Sequence, residues 1–555
     1  MYSRPRTSTK LIPLILLYHI NVQSNELSVQ EMMDLPLEEL FNTVVTVASV
    51  KEETIPETPA VVSSFHTKNM ATLGLRTLKD ILSFMPGVVI DDSTFGNTQV
   101  LIRGITDAYG QKVLFLLDDV PLWMPVNSSI PLLGFPIELI DHVEVIRGPG
   151  AVIYGTNASS GVIKIVTKKD SDNKVALSLG SNNKYDAQTY WQETINNKHR
   201  LTLSLKKQED DGYKGFYEKK SGVTKNNDRE EEAESVYIRY NYNDFEVFTH
   251  LFESQFNGTL QLPGPLTRTL DATYQSALIH VSNNWSSEKR KTTAYSDYNI
   301  FYYEYPTQDD QFGAGIDAKS VFEPEHDNYR WRTGVTSNHL WTDDTSLFIG
   351  AETEIRSVSD LLEINKSTGT ESILVASDNV SEHAIFGQID HHIGSWRFLA
   401  GARLTRNSDY GSKLTPRLST VYNIDDNQSL KLLYSVGFNA PNFFQTGLNA
   451  PVSVGNADLD PELIKMMDLA YTHASSDHLF VANVYHMSAE DFISRSRISG
   501  SNSLVNTFLN AGSYNRYGAE LDFQYRKNQW TSYYNLSYHH QANRHKTITI
   551  PTVAD

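Results

Sequence analysis

From about residue 174 onward the chain alternates apolar and polar residues with period two, in segments roughly ten residues long, the length a tilted membrane strand needs. Across 517–526, Tyr517, Ala519, Leu521, Phe523 and Tyr525 share one face, and Gly518, Glu520, Asp522, Gln524 and Arg526 share the other. Across 429–438, Leu430, Leu432, Tyr434, Val436 and Phe438 oppose Ser429, Lys431, Leu433, Ser435 and Gly437. Leu201, Leu203 and Leu205 oppose Thr202, Ser204 and Lys206 in the same way. Successive side chains of a strand point to opposite faces, so this pattern builds sheets with one apolar and one polar face.

The connections between these segments alternate as well. Short turns near 196–199, 243–244, 286–289, 343–345, 394–395, 425–427, 475–477 and 527–529 interleave with longer ones near 210–234, 256–274, 303–326, 357–381, 438–466 and 489–514. Short turns on one side and long loops on the other suit a barrel that crosses a membrane. A propeller or sandwich has no reason to segregate loop lengths. About 17 strands are predicted, an odd number for an antiparallel barrel, and Asp555 is not the aromatic terminus such barrels usually carry.

Composition narrows the class further. A mean hydropathy of −0.37 and no long apolar run after the N-terminus exclude a bundle of membrane helices. The 29 Tyr, 24 Phe and 7 Trp suit aromatic girdles at a barrel's rims. A net charge of −18 argues against nucleic acid as partner, and the absence of cysteine excludes disulfides and thiolate metal sites. Residues 1–24 carry Arg4, Arg6 and Lys10, then an apolar stretch over 11–20, and read as a secretory signal.

Residues 59–169 read differently, as a compact α/β unit. Leu78, Ile81, Leu82 and Met85 fall at helical spacing, with Thr77 and Asp80 as the N-terminal cap and Pro86-Gly87 as the stop. Strands are expected at 88–91, 100–102, 113–117, 143–146 and 162–167, the last two joined by a Gly-Pro-Gly turn and a small-residue hairpin over 155–161. The run from Pro136 to Thr167, with Leu101-Ile-Arg-Gly104 and 113–121 upstream, closely resembles the plug domain of TonB-dependent outer-membrane receptors. The segments at 414–417, 437–441 and 456–462 resemble motifs of the receptor barrels. Asn439 stands where the family usually has Arg, and 438–462 lacks the His common in haem receptors.

The resemblance implies an α/β plug inside an antiparallel transmembrane β-barrel, with 22 strands in full-length members. The chain then divides into a signal peptide (1–24), a periplasmic segment (25–58), the plug (59–169) and an incomplete barrel (170–555). It implies residence in the outer membrane of a Gram-negative bacterium. It also implies energised uptake of a scarce ligand, with ferric siderophore leading and cobalamin, haem or a glycan fragment as alternatives. A porin or an outer-membrane enzyme is the competing class; the plug would block a porin's lumen, and no paired catalytic groups are visible.

Behind a short amphipathic stretch at 33–41, the β-prone strip Thr43, Val44, Val45, Thr46, Val47 and Ala48 lies before a Pro-containing segment. It occupies the place of the family's TonB box, which pairs with the energy-coupling protein TonB by strand addition, and is expected to be exposed. Arg103, Glu144 and Arg147 sit in strand-like apolar sequence, where an unpaired charge is costly. In the resembled plug such residues pair with barrel-wall carboxylates and one another, as a breakable interface or as structural ion pairs. Phe95, Tyr109 and Trp123 lie on loops that the resemblance places at the outer apices, where they would contact ligand, or where Trp123 would pack on the wall. No cofactor is expected. His391-His392 and His539-His540 are excluded as metal pairs because neighbours on a strand point apart.

Overall fold

The computed structural model describes residues 44–48, 52–92, 98–105, 112–130, 132–170, 172–196, 198–212, 214–218, 224–228, 230–261, 267–306, 320–365, 368–450, 453–497, 505–527 and 530–545. The signal peptide, the stretch at 33–41, Thr43, Phe95 and Tyr109 lie outside the described residues.

The N-terminal part opens with a two-residue ladder of β1 (Val44–Val45) and β2 (Glu53–Thr54). The plug is organised on β3 (Val62–His66), β4 (Val88–Asp92), β5 (Thr98–Ile102), β6 (Val113–Leu117), β7 (Val120–Pro121), β8 (Ile140–Arg147) and β9 (Gly161–Thr167). Five of them form a mixed sheet in the order β3-β8-β9-β6-β7, in which β6 and β9 are parallel; β4 and β5 pair separately. The continuous apolar run of β6 follows from its position, since all five residues are buried. The helix Leu78–Ser83 starts at Thr77 with a capping box to Asp80, and Leu78, Ile81 and Leu82 are buried.

Between β8 and β9 the chain makes a helical turn, Ala151–Tyr154, where the sequence suggested only turn and hairpin. Gly161 is required at the start of β9. A Cβ there would lie 2.4 Å from Ile102 Cδ1 and 2.6 Å from the Ile146 carbonyl oxygen.

Around the plug runs an antiparallel sheet. Among the described residues it joins 20 strands. Seventeen are staves in chain order from Lys174–Leu179 to Trp530–His545, and three short strands (Ser320–Pro324, Leu361–Asn365 and Glu371–Val375) extend from the long-loop end. The first and last staves each have one neighbour among the described residues. Sidedness follows the alternation: Leu430, Leu432 and Tyr434 are exposed outward while Ser429, Lys431 and Leu433 are buried inward. The same holds for Tyr517 and Leu521 against Glu520 and Asp522. An apolar exterior around a polar, plugged interior inverts the arrangement of a soluble protein and fits lipid outside.

Candidate functional site

The polar interior holds three groups of charged side chains where plug meets wall. The first gathers around Arg103, in the turn after β5, where its backbone takes a φ of 55° ahead of Gly104. Its guanidinium donates to Glu520 through Nε (3.1 Å) and Nη2 (2.9 Å), lies 2.9 Å from Asp468 and stacks 4.1 Å over the Tyr485 ring. Arg147, at the end of β8, reaches Glu520 at 3.2 Å and Ser63 at 3.1 Å. Asn483 donates to both Asp468 and Glu520. Burial works against the Arg103 charge, but Asp468 and Glu520 outweigh it and raise its pKa, so the guanidinium stays protonated.

Glu144 does not join this group. It lies three residues before Arg147, on the opposite face of β8. Its carboxylate accepts from the Val47 amide (2.7 Å) and the Thr46 amide (3.0 Å), and faces His142 Nε2 at 2.9 Å. The expectation that Glu144 belongs to the plug–barrel interface is therefore corrected: these partners are its own neighbour and the N-terminal strip. Burial pushes the Glu144 carboxyl up, but the hydrogen bond from His142, the Lys164 ammonium and the Thr46 amide hold it below the usual carboxylate range. His142 is opposed by burial yet raised to about 9 through Asp141 and Glu144, while burial and the His142 charge lower His66 to about 4.

The strip is not exposed. Val45, Val47 and Ala48 are fully buried, so that expectation is corrected too. Tyr154 donates to the Val47 carbonyl (2.9 Å), and Lys164 donates to the Thr46 hydroxyl (2.8 Å) and pairs with Asp119 (2.6 Å). Wall residues near the short-turn end complete the hold. Arg417 donates to the carbonyls of Ala48 (3.0 Å) and Pro59 (2.6 Å), and Ser429 to that of Pro56 (2.8 Å). Lys431 donates to the Ile55 carbonyl (2.5 Å), and Arg397 to the Glu57 carbonyl (2.8 Å) and the Glu53 carboxylate (2.6 Å).

The third group faces the long-loop end. Trp123 is only 4% exposed and lies beneath Arg330 (5.3 Å) and Arg356 (5.6 Å) of the wall. It is packed against the barrel rather than displayed at an open apex. Arg330 also donates to the Pro121 carbonyl, and Lys112 pairs with Glu462 at 2.7 Å.

Sequence reasoning missed Lys112, Lys164 and Lys431, although Lys164 and Lys431 are charges inside apolar strand sequence, the signal that singled out Arg103. It also missed His66 and Asp141, which no local pattern marks.

Two family profiles match the chain: TonB-dependent Receptor Plug Domain over residues 54–162, and TonB dependent receptor-like, beta-barrel over residues 154–554. The chain belongs to the TonB-dependent receptor family. Proteins of this family are transporters rather than enzymes, and their barrels are outer-membrane proteins of Gram-negative bacteria. They bind small ligands and work with TonB.

Among relatives, the vitamin B12 transporter BtuB of Vibrio cholerae is 23% identical over 444 residues, covering 77% of this chain and 67% of its own. Among solved structures, the ferric enterobactin receptor PfeA of Pseudomonas aeruginosa superposes with a TM-score of 0.72 at 15% identity, covering 86% of this chain and 79% of that one. The copper transporter OprC gives 0.67 at 16%, covering 87% and 79%.

Proposed function

We propose that the chain is an outer-membrane receptor that captures a scarce ligand outside and admits it when TonB engages the strip formed by Thr43 to Ala48. The observation that carries this reading is the hold on that strip. Polar contacts through Glu144, Tyr154, Lys164 and Arg417 hold it in place, while Val45, Val47 and Ala48 pack into the apolar core and would be withdrawn with it. Such a segment can be docked at rest and drawn out by a partner that adds a strand to it.

Ferric siderophore is the leading cargo, supported by the fold shared with a ferric enterobactin receptor. Cobalamin is the second reading, favoured by the sequence similarity to a vitamin B12 transporter over 77% of the chain.

Deleting residues 43–48 tests the mechanism: surface binding of radiolabelled cargo should persist while energised uptake disappears. Loss of both, or of neither, refutes the role of the strip. Growth of a receptor-deficient host on ferric siderophores or on limiting cobalamin separates the cargoes.

A further inference from the structure

His66 and His142 are direct cross-strand partners in the β3–β8 ladder, so both imidazoles stand on one face. Asp141 would ordinarily point away from its neighbour His142. The β8–β9 register slips at this point, pairing Ile140 with Thr167 and His142 with Val166, so that Asp141 is an extra, bulged residue. A bulge re-aims side chains, and here the Asp141 carboxylate meets both rings. Its Oδ2 lies 2.6 Å from His142 Nδ1 and 3.8 Å from His66 Nδ1, and the three donor atoms all lie within 4.8 Å of one another. The rings themselves are 4.8 Å apart.

We propose that His66, Asp141 and His142 bind a divalent transition metal of the zinc type, and that the bound metal tightens the hold on the N-terminal strip. Two imidazoles and a carboxylate select zinc or its late first-row neighbours over calcium and magnesium, which prefer all-oxygen sites. Metal–ligand bonds of about 2.0–2.2 Å set tetrahedral donors about 3.3 Å apart. The Asp141–His142 pair must open slightly and the His66 contact close slightly. Asp141 has room for this, its side chain being 48% exposed. A solvent molecule would take the fourth position.

The second carboxylate is what ties the site to the strip. With Nδ1 on the metal, His142 keeps its proton on Nε2, 2.9 Å from Glu144 Oε1. This is the carboxylate–histidine–metal relay that orients metal-bound imidazoles. The same Glu144 carboxylate accepts the Thr46 and Val47 amides. A metal that fixes His142 therefore fixes Glu144, and Glu144 holds the strip. The site lies at the short-turn end: Glu138, just before β8, pairs at 2.9 Å with Lys174, where the first stave begins.

The test is zinc titration of the detergent-solubilised chain against a competing chelator, with amide hydrogen exchange read on the strip. We expect one zinc equivalent whose affinity falls at least tenfold in His66→Ala and in Asp141→Asn. In Glu144→Gln it should fall about tenfold, as for removal of such a supporting carboxylate. Cobalt in place of zinc should give a ligand-field absorption band that vanishes in the first two variants. Zinc held by His473 and His478, whose Nδ1 and Nε2 lie 3.2 Å apart, would persist in every variant and serves as the background. Asp141→Asn, at a half-exposed position, keeps the test valid if His66→Ala does not fold. Unchanged zinc affinity and an unchanged cobalt band in Asp141→Asn overturn the site. Zinc should slow exchange of the Thr46 and Val47 amides at least threefold; unaltered exchange with metal bound overturns the coupling.

Discussion

Replacing Glu144 by Gln should release the N-terminal strip without unfolding the plug. Glu144 accepts two charge-assisted backbone bonds, from Val47 at 2.7 Å and Thr46 at 3.0 Å. Bonds to a charged acceptor contribute about 1.5–3 kcal/mol each, against about 0.5–1.5 kcal/mol for neutral ones. Both amides share Oε2, so a Gln leaves them one neutral oxygen and turns its NH2 toward the Thr46 amide, which lies 3.2 Å from Oε1. The docked strip should therefore be destabilised by about 2–4 kcal/mol, or roughly 30- to 900-fold in the open population. The chain has no cysteine, so a single Ala48→Cys probe at a fully buried position reports opening without background. Maleimide labelling limited by the open population should accelerate by that factor in the Glu144→Gln background. Acceleration below about twofold, or labelling of the parent at the rate of a free thiol, would refute the idea that Glu144 holds the strip.

Other outcomes follow from the same geometry. Arg103→Ala leaves Glu520 and Asp468 buried beside a missing cation, and should lower the plug's resistance to urea by about 3–5 kcal/mol, read by tryptophan fluorescence. Trp123→Ala should cost about 3–5 kcal/mol of stability through the void it leaves. Because Glu144 is held below the usual carboxylate range, its contribution to docking is complete above its unfolded value of about 4.3 and is lost as pH falls through the depressed pKa. Exchange of the Thr46 and Val47 amides, corrected for intrinsic rate, should thus stay flat from about pH 8 to 5.5 and rise only below about pH 4.

The barrel was legible because its information is local. Alternation at Leu430, Lys431 and Leu432 sets which residue faces lipid, and seventeen staves match the count read from turns and loops. The helix at Leu78–Ser83 was legible for the same reason, its cap and stripe lying within ten residues. Contacts made at long range were not. Arg103 announced itself as a charge in apolar sequence, but its partner Glu520 lies 417 positions away. Strand alternation also hides the Asp141–His142 pair, which converges because a bulge breaks the rule by which neighbours point apart. The strip 43–48 looked exposed because nothing nearby in sequence covers it; the cover over Val45, Val47 and Ala48 comes from the plug and from Arg417.

The hold on 55–60 has a further consequence for how freely this segment can change. Its wall partners, Arg417, Ser429, Lys431 and Arg397, all donate, and they meet main-chain carbonyls of Ile55, Pro56, Glu57 and Pro59. Every amino acid carries that carbonyl, and the two prolines contribute no N–H of their own that would need a partner. The barrel thus recognises a path rather than a spelling. The exposed Glu57 side chain can be rewritten with little effect on these bonds, whereas the buried Ile55, Thr58 and Ala60 are held to their size, and a change at one wall donor strips support from one or more carbonyls. Variation is therefore tolerated where the segment faces outward, at Glu57, and resisted at its buried positions and at the wall donors.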